Sequence, residues 1–262
     1  MHAENRVQLQ STEGRGLRGV CGAGEGMKIF TGTSWNEDNI QKCIEYGIGW
    51  CTSPQDPVQP KDISPEIEYI FDNGAFFAFK KGVPFNTPLF YTQLGKIERE
   101  PYFVSVPDIV GGGLDSYNFS LQHIDKILFK KYFVVQDGMY FDAIYHAIAR
   151  CDGVFVGGTL DPYDSLKGWK WDTASHWIEH AHEIGLPCHI GRVGRLKGYF
   201  KAYDLGADSV DGSGIMRNGK LNRVKEFQEL LRGREQFDFR YENLARSIIP
   251  SDELEERSSE QR

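Results

Sequence analysis

The stretch KYFVVQDGMYFDAIYHAIARCDGVFVGG, residues 131–158, decides the fold. It opens with an apolar run at 132–136, continues with an amphipathic segment at 140–150 and closes with a second apolar run at 153–157. Short β-branched and aromatic runs are typical of buried strands, and the segment between them has the length of a helix. Two parallel strands joined through a helix form a right-handed crossover. The stretch therefore predicts one β-α-β unit of a parallel sheet.

The same alternation extends to both sides of this unit. Further strand candidates lie at 27–33, 48–52, 67–72, 103–108, 186–190 and 207–211. Further helix candidates lie at 37–46, 86–97, 114–130, 172–184, 195–205 and 221–232. Eight such units predict an α/β fold, a closed (β/α)8 or TIM barrel. The alternative is an open doubly wound sheet, but no Gly-x-Gly-x-x-Gly motif follows the first strand as a dinucleotide site would require.

We expect a single barrel domain over 27–235, with an extension at each end. Residues 1–26 are rich in Gly, Glu and Arg and lack apolar periodicity, which predicts a disordered N-terminal extension. Residues 236–262 form a C-terminal extension, and its last stretch, 251–262, carries five acidic residues and two arginines. That stretch is typical of a solvated acidic tail. Between the second and third strands, the Pro-rich link 53–65 predicts a short or missing helix.

Composition excludes several classes of protein. The net charge of −7 excludes a globally basic nucleic-acid binder, although it allows a local basic groove. No apolar run approaches the roughly 20 residues of a membrane-spanning helix, so we expect no membrane partner. The five cysteines include no Cys-x-x-Cys pair, which argues against a disulfide framework and a zinc knuckle. They favour a reducing compartment, and we therefore expect a cytoplasmic protein.

Polar residues follow the apolar runs at the points where the strands end. A barrel carries its site at the carboxyl ends of its strands. Three carboxylates at one mouth repel each other and raise some of their pKa values, an arrangement that suits a ligand, a metal or acid/base chemistry. The alternative is that each aspartate only ends a strand or caps a helix. The strand-end residues are Asp72, Asp108, Gln136, Gly157, Gly158, His189 and Asp211.

Local sequence refines these candidates. Asp72 lies in FDNGAF, where Asn73 and Gly74 predict a tight turn. The amide of Gln136 both donates and accepts hydrogen bonds, which suits the edge of a nucleobase. Asp211 lies in GADSVDGSG, whose glycines would also suit a phosphate-binding loop. A barrel enzyme acting on a small phosphorylated metabolite therefore remains an alternative.

Six motifs in order, FDNGAF, VPD, VVQDG, VFVGG, HIGRVG and GADSVDGSG, resemble the tRNA-guanine transglycosylase superfamily, which includes the queuine and archaeosine transglycosylases. The resemblance is strongest to the zinc-less, DNA-type branch, which inserts 7-deazaguanines into DNA, and it covers roughly residues 67–217. It implies a glycosyltransferase, more specifically a pentosyltransferase, that exchanges guanine for a preQ0-type base. It implies no cofactor, and zinc is not expected.

The resemblance also implies roles for single residues. Asp211 matches the aspartate that attacks the sugar C1′ and forms a covalent glycosyl-enzyme, and Asp72 matches the acid/base aspartate. Asp108 and Gln136 match residues that bind the guanine-type base. Gly158, with Gly157, matches the backbone segment that contacts the carbonyl edge of the base. We also expect two further residues in the base site: Asn73, next to Asp72, and His189, at the end of the seventh strand.

The chain departs from the tRNA-type enzymes in ways that bear on the substrate. Their zinc subdomain needs cysteines after the last strand, whereas the last cysteine here, Cys188, precedes that strand. Asn73 and Ala75 replace the Ser and the second Gly of the family's Asp-Ser-Gly-Gly motif. We therefore expect DNA more than tRNA as partner, together with a 7-deazaguanine base. The alternatives are a tRNA-type RNA enzyme, or a non-catalytic base- or nucleic-acid-binding barrel. A protein partner for opening DNA remains open, because a base within a duplex must be extruded.

Basic and aromatic residues near the predicted mouth are candidates for strand contacts. Trp169 and Trp171 lie after the sixth strand, where they either stack on bases or pack under their loop. A run of aromatics in FDNGAFFAF (Phe76, Phe77 and Phe79) is predicted to pack in the core or in a loop, with a stacking platform as the alternative. Phosphate contact is predicted for five basic residues, with solvated helix starts as the alternative. These residues are Arg192, Arg195, Lys197, Arg217 and Lys220.

Overall fold

A computed structural model describes residues 26–159, 164, 166–217, 219, 221–230 and 233. The extension predicted over 1–26, Gly26 apart, and the one predicted over 236–262 lie outside these residues, as does Lys220. Within the described ranges, no helix is long and apolar enough to cross a membrane.

Eight parallel strands close into one barrel in chain order, with β1 hydrogen-bonded to β8. Seven strands lie inside their predicted runs and β5 begins one residue before its run, so the predicted (β/α)8 fold is confirmed. The strands are β1 Lys28–Gly32, β2 Gly49–Thr52, β3 Tyr69–Phe71, β4 Val104–Ser105, β5 Lys131–Val135, β6 Gly153–Val156, β7 Cys188–Ile190 and β8 Ser209–Asp211.

Helices separate the strands and surround the barrel. Two short 3-10 helices, Pro60–Asp62 and Ile124–Lys126, accompany them. The first of these is all the helix that the Pro-rich link forms. The α-helices are α1 Glu37–Glu45, α2 Ala75–Lys81, α3 Thr87–Leu94, α4 Gly113–Leu121, α5 Phe141–Ile148, α6 Trp169–Glu183, α7 Leu196–Asp204, α8 Gly214–Arg217 and a helix over 221–230 that we call α9.

The barrel interior is filled with aromatic and branched side chains, as in a solid core. The rings of Phe103 and Tyr132 stack with their centroids 3.9 Å apart, and Phe155 meets Phe103 edge-on at 6.2 Å. The ring of His189 packs on Phe103 and Phe155 at 5.0 and 4.6 Å. Because this layer is buried and closely packed, it fixes the height and direction of the polar residues just above it.

A candidate active site at the mouth of the barrel

A cavity of about 680 Å3 opens at the carboxyl ends of the strands. Its volume lies in the range of small-ligand sites. Each strand contributes a residue from its end or from the loop that follows it. In strand order these residues are Gly32, Cys51, Asp72, Asp108, Gln136, Gly157, Arg192 and Asp211. The cavity thus brings together both predicted catalytic acids and most of the predicted base-binding residues.

Asp211 ends β8 and is only 8% exposed. One carboxylate oxygen lies 3.1 Å from Nε2 of His189, and the other accepts the backbone N–H of Arg192 at 3.1 Å. Burial by itself opposes ionisation of Asp211, but the hydrogen bonds from His189 and from the Arg192 amide hold its pKa below the ordinary value. Asp211 is therefore a carboxylate at neutral pH, aimed into the cavity.

His189 lies behind Asp211 and is not among the residues that line the cavity. Its ring is fully buried, and burial lowers its pKa, so the neutral form is favoured. The ionised Asp211 can only accept a hydrogen bond, so Nε2 of His189 carries the proton and donates to it, and Nδ1, 2.8 Å from Oγ of Ser209, accepts from that hydroxyl. The sequence predicts His189 as a base contact, whereas the structure places it where it orients the carboxylate of Asp211.

Asp72 follows β3 on another side of the same cavity. Its Oδ1 accepts the backbone N–H of Gly74 at 2.7 Å, which closes the tight turn that the Asn-Gly pair predicts. Burial raises the pKa of Asp72 to about 7; the Gly74 hydrogen bond only partly offsets this, and the charges of Asp211 and Asp108 add to the rise. Near neutral pH, Asp72 can therefore both hold and release a proton.

Asp108, Asn73 and Gln136 form one hydrogen-bonded wall of the cavity. Asn73 donates its side-chain amide to Asp108 at 2.8 Å and to the carbonyl of Val106 at 2.7 Å. The amide of Gln136 donates to the other oxygen of Asp108 at 2.5 Å. Burial raises the pKa of Asp108 to about 6, against the lowering effect of these two amides. Asn73 therefore acts in this structure by holding Asp108.

The glycine pair after β6 contributes differently from each position. Gly157 lines the cavity, whereas Gly158 does not. The N–H of Gly158 donates to the side-chain oxygen of Gln136 at 3.1 Å, and its carbonyl accepts a hydrogen bond from the guanidinium of Arg192. Gly158 has φ +61°, and a Cβ there would lie 2.2 Å from the ring of Trp169. Only glycine fits this position without strain.

Arg192 is the one non-glycine residue of the described chain with a positive φ, at +57°. This backbone turn points its N–H at Asp211 and lets its side chain return into the cavity. The guanidinium carbon lies 4.2 Å from the ring centroid of Phe76. Arg192, predicted as a phosphate contact, thus lies within the cavity. Strained backbone of this kind is common at functional sites.

The other predicted phosphate contacts lie elsewhere. Arg195 and Lys197 are exposed at the start of α7 and do not line the cavity. The backbone of Arg217 ends α8, but its side chain, like Lys220, lies outside what the structure describes.

Sequence reasoning missed a buried lysine beneath the site. Lys170, in α6, is fully buried, and its ammonium group donates to the carbonyl of Gly191, next to Arg192. Burial lowers its pKa well below the ordinary value. The flanking tryptophans were the available signal, since Trp171 is buried and Trp169 is half-buried, and both hold the start of α6 against the barrel.

The aromatic run of α2 was interpreted wrongly from the sequence. Phe76, Phe77 and Phe79 are 38%, 43% and 56% exposed instead of packed in the core, and the first two line the cavity together with Lys80. The run lacks the polar residues that normally mark an exposed helix, so composition alone favoured burial.

Among the described residues, no group of three or more His, Cys, Asp or Glu side chains is arranged to hold a metal ion. Two histidines of α6 have carboxylate partners: His180 lies 2.7 Å from Glu183, and His182 lies 2.9 Å from Asp208. We compared the chain with models of known protein families and with curated proteins, and nothing matched. The interpretation of the site therefore rests on its geometry and on the ordered motifs.

Proposed function

We propose that this protein is a base-exchange transglycosylase. It replaces guanine in a nucleic acid, DNA in preference to tRNA, with a 7-deazaguanine of the preQ0 type. The observation that carries the proposal is the pair of acids in one cavity, Asp211 and Asp72, whose pKa values are displaced in opposite directions. Glycosyl transfer through a covalent intermediate requires two carboxyl groups whose pKa values differ, so that one is ionised and the other holds a proton.

In the first half of the reaction, an ionised oxygen of Asp211 attacks C1′ of the target nucleotide. The bond between C1′ and N9 of guanine breaks, and its electron pair goes to N9. Protonated Asp72 gives its proton to the departing base. His189 keeps the carboxylate of Asp211 oriented through its Nε2–H. The products are free guanine and a glycosyl ester on Asp211.

In the second half, the entering 7-deazaguanine loses its N9 proton to the carboxylate of Asp72. Its N9 attacks C1′, the ester bond breaks, and the electron pair of that bond returns to Asp211. Each half inverts C1′, so the configuration of the sugar is retained. A pKa of about 7 suits Asp72 for both directions of proton transfer.

The hydrogen-bonded wall formed by Asp108, Asn73 and Gln136 supports a guanine-type base as the ligand. The carboxylate of Asp108 can accept hydrogen bonds from the N–H groups of such a base, and the amides of Asn73 and Gln136 keep that carboxylate in place. Guanine and its 7-deaza analogues share those donors, which would let one wall serve the leaving and the entering base. Phe76 and Arg192, which both line the cavity, offer surfaces on which a planar base can stack.

Isotope exchange tests the proposal. The purified protein is incubated with labelled guanine or preQ0 and, separately, with single-stranded DNA, duplex DNA and tRNA, and label entering the polymer is counted. We expect incorporation with wild type and none with Asp211→Asn, which keeps the shape of the side chain but cannot form the ester. Asp125→Asn is the matched control, because Asp125 is an exposed acid near the amino end of β5, away from the mouth.

The outcomes separate the alternatives. Incorporation into tRNA alone would favour the RNA-type enzyme. Tight binding of the base without incorporation into any polymer would favour a non-catalytic barrel. Unchanged exchange in Asp211→Asn would overturn the assignment of the nucleophile.

A further inference from the structure

The outer face of α2 is an exposed aromatic and cationic surface beside the cavity. We call it the α2 platform and define it as Phe76, Phe77, Phe79, Lys80 and Lys81. The rings of Phe76 and Phe79 stack with their centroids 6.2 Å apart and their planes at 22°. Three phenyl rings exposed by more than a third are costly in water unless something covers them.

Cations accompany the rings of the platform. Nζ of Lys81 lies 4.2 Å from the ring centroid of Phe77, and Nζ of Lys80 lies 6.0 Å from that of Phe76. The helix, AFFAFKK, contains no acidic residue. Rings that stack on bases and cations that meet phosphates are the combination by which proteins hold unpaired nucleic-acid strands. A purely apolar protein partner would leave the two lysines unmatched.

The platform is continuous with the cavity. Phe76, Phe77 and Lys80 line the cavity wall, and Asp72 lies three residues before α2. A seven-residue helix is about 10 Å long, which corresponds to about three stacked nucleotides of one strand. A strand that places one nucleotide between Asp72 and Asp211 would therefore pass its neighbours over these rings.

We propose that the α2 platform binds unpaired bases next to the target nucleotide, so that the substrate is single-stranded or locally opened DNA. This inference rests on the proposed function, which places the target nucleotide in the cavity. It adds the form of the substrate: bases that are paired in a duplex cannot present their faces to Phe77 and Phe79.

Binding measurements test the platform without turnover. Fluorescence anisotropy is followed with a labelled 12-nucleotide single strand that contains one guanine, and with its duplex. For Phe77→Ala/Phe79→Ala we expect the Kd for the single strand to rise about 10- to 100-fold, and wild type to bind the duplex more weakly. Leu128→Ala is the control, because Leu128 is 93% exposed just before β5, away from the mouth, and should leave the Kd unchanged.

Two further arms identify the contacts. Abasic sites on both sides of the guanine should weaken strand binding by wild type as much as the Phe77→Ala/Phe79→Ala substitution does. They should weaken strand binding by the double variant little further. Lys80→Ala/Lys81→Ala should reduce the slope of log Kd against log salt by about 1.4, since each phosphate contact on a single strand contributes about 0.7.

The inference is overturned if the Phe77→Ala/Phe79→Ala variant binds the strand like wild type, or if abasic sites weaken both proteins equally. Failure of wild type to bind any strand also overturns it, and would assign the platform to a protein partner. Exchange is scored separately: platform-dependent binding without wild-type exchange would refute the proposed function alone. Exchange with platform-independent binding would refute only this inference.

Discussion

Asp72 and Asp211 have identical side chains and line one cavity, but their surroundings favour different protonation states. Asp211 accepts hydrogen bonds from His189 and from the Arg192 backbone, which favour its ionised form. Asp72 accepts a hydrogen bond from Gly74, but the effect of burial on its pKa is larger. A nucleophile must be ionised, and an acid/base group must hold its proton until the base departs. The two environments match that division of roles.

The rate of guanine release should therefore depend on pH through Asp72. Burial raises its pKa to about 7, and only the protonated form can give a proton to the departing base. We expect the single-turnover rate of guanine release to be high below pH 7 and to fall as pH rises above it. Asp72→Asn should lower the rate about 100- to 10,000-fold and remove this fall. Rapid-quench measurements between pH 5.5 and 9 check both; a fall that persists in Asp72→Asn would assign it to another group.

At low pH, protonation of Asp211 should also stop guanine release, and replacement of His189 should shift this acid limb. Because the pKa of Asp211 lies below its ordinary value, the rapid-quench measurements are extended below pH 5.5 to follow it. His189→Phe preserves the aromatic layer formed with Phe103 and Phe155 but removes the Nε2–H bond to Asp211. Loss of a hydrogen bond to a carboxylate raises its pKa, so the low-pH limb should move up by about one pH unit. A merely structural role would lower the rate equally at every pH and leave the limb in place.

The sequence could reveal the acids but not all of the buried groups that surround them and influence their pKa values. Asp72, Asp108 and Asp211 each end an apolar run, where a polar residue stands out. The tryptophans on either side of Lys170 indicate a buried segment, but the burial of the lysine itself depends on the path of α6, which the sequence does not give. The position of Arg192 inside the cavity depends on a positive φ, which no residue preference would favour there.

At the scale of elements, the strands were predictable, and two helices, α2 and the short α8, were not. Strands buried on both faces need continuous apolar runs, such as YFVV in β5, and these are visible without any alignment. The segment that forms α2 has no polar N-cap and only seven residues between Gly74 and Gly82. Without a cap or a polar face, it could not be told from a buried loop. The helix predicted over 114–130 is shorter in the structure, where α4 ends at Leu121 and the 3-10 helix Ile124–Lys126 follows it.

The contact between the end of β6 and the start of α6 should be sensitive to one methyl group. Gly158→Ala places a Cβ against the ring of Trp169 at a positive φ, and we expect the free energy of unfolding to fall by about 2–4 kcal/mol. Gly47→Ala is the matched control, because Gly47 has nearly the same φ, +62°, with open space around it, and should cost only about 1–2 kcal/mol.

Urea unfolding of the two glycine variants checks this prediction. Equal losses would mean that the backbone conformation alone is responsible and that Trp169 does not pack on Gly158. The predicted difference would show that α6 and the site are coupled through this contact.

At the scale of the whole molecule, the net charge of −7 conceals a local pattern of opposite sign. Lys80 and Lys81 follow β3, and Arg195 and Lys197 follow β7, whereas the guanidinium of Arg192 reaches Phe76 on the α2 side. Strands three and seven lie on opposite sides of an eight-stranded barrel closed in chain order. Positive charge therefore flanks the mouth on two sides, and a polyanionic strand could cross it with its target nucleotide above the acids.

The central claim is that Asp211 and Asp72 act on the same bond between a sugar and a base. The most direct measurement is mass spectrometry of the denatured, digested protein after incubation with a guanine-containing oligonucleotide, with released guanine removed so that the intermediate accumulates. The account predicts one oligonucleotide ester, attached to Asp211 and absent from Asp211→Asn. An oligonucleotide attached to any other residue, or base exchange that proceeds with no attachment to Asp211, would contradict it.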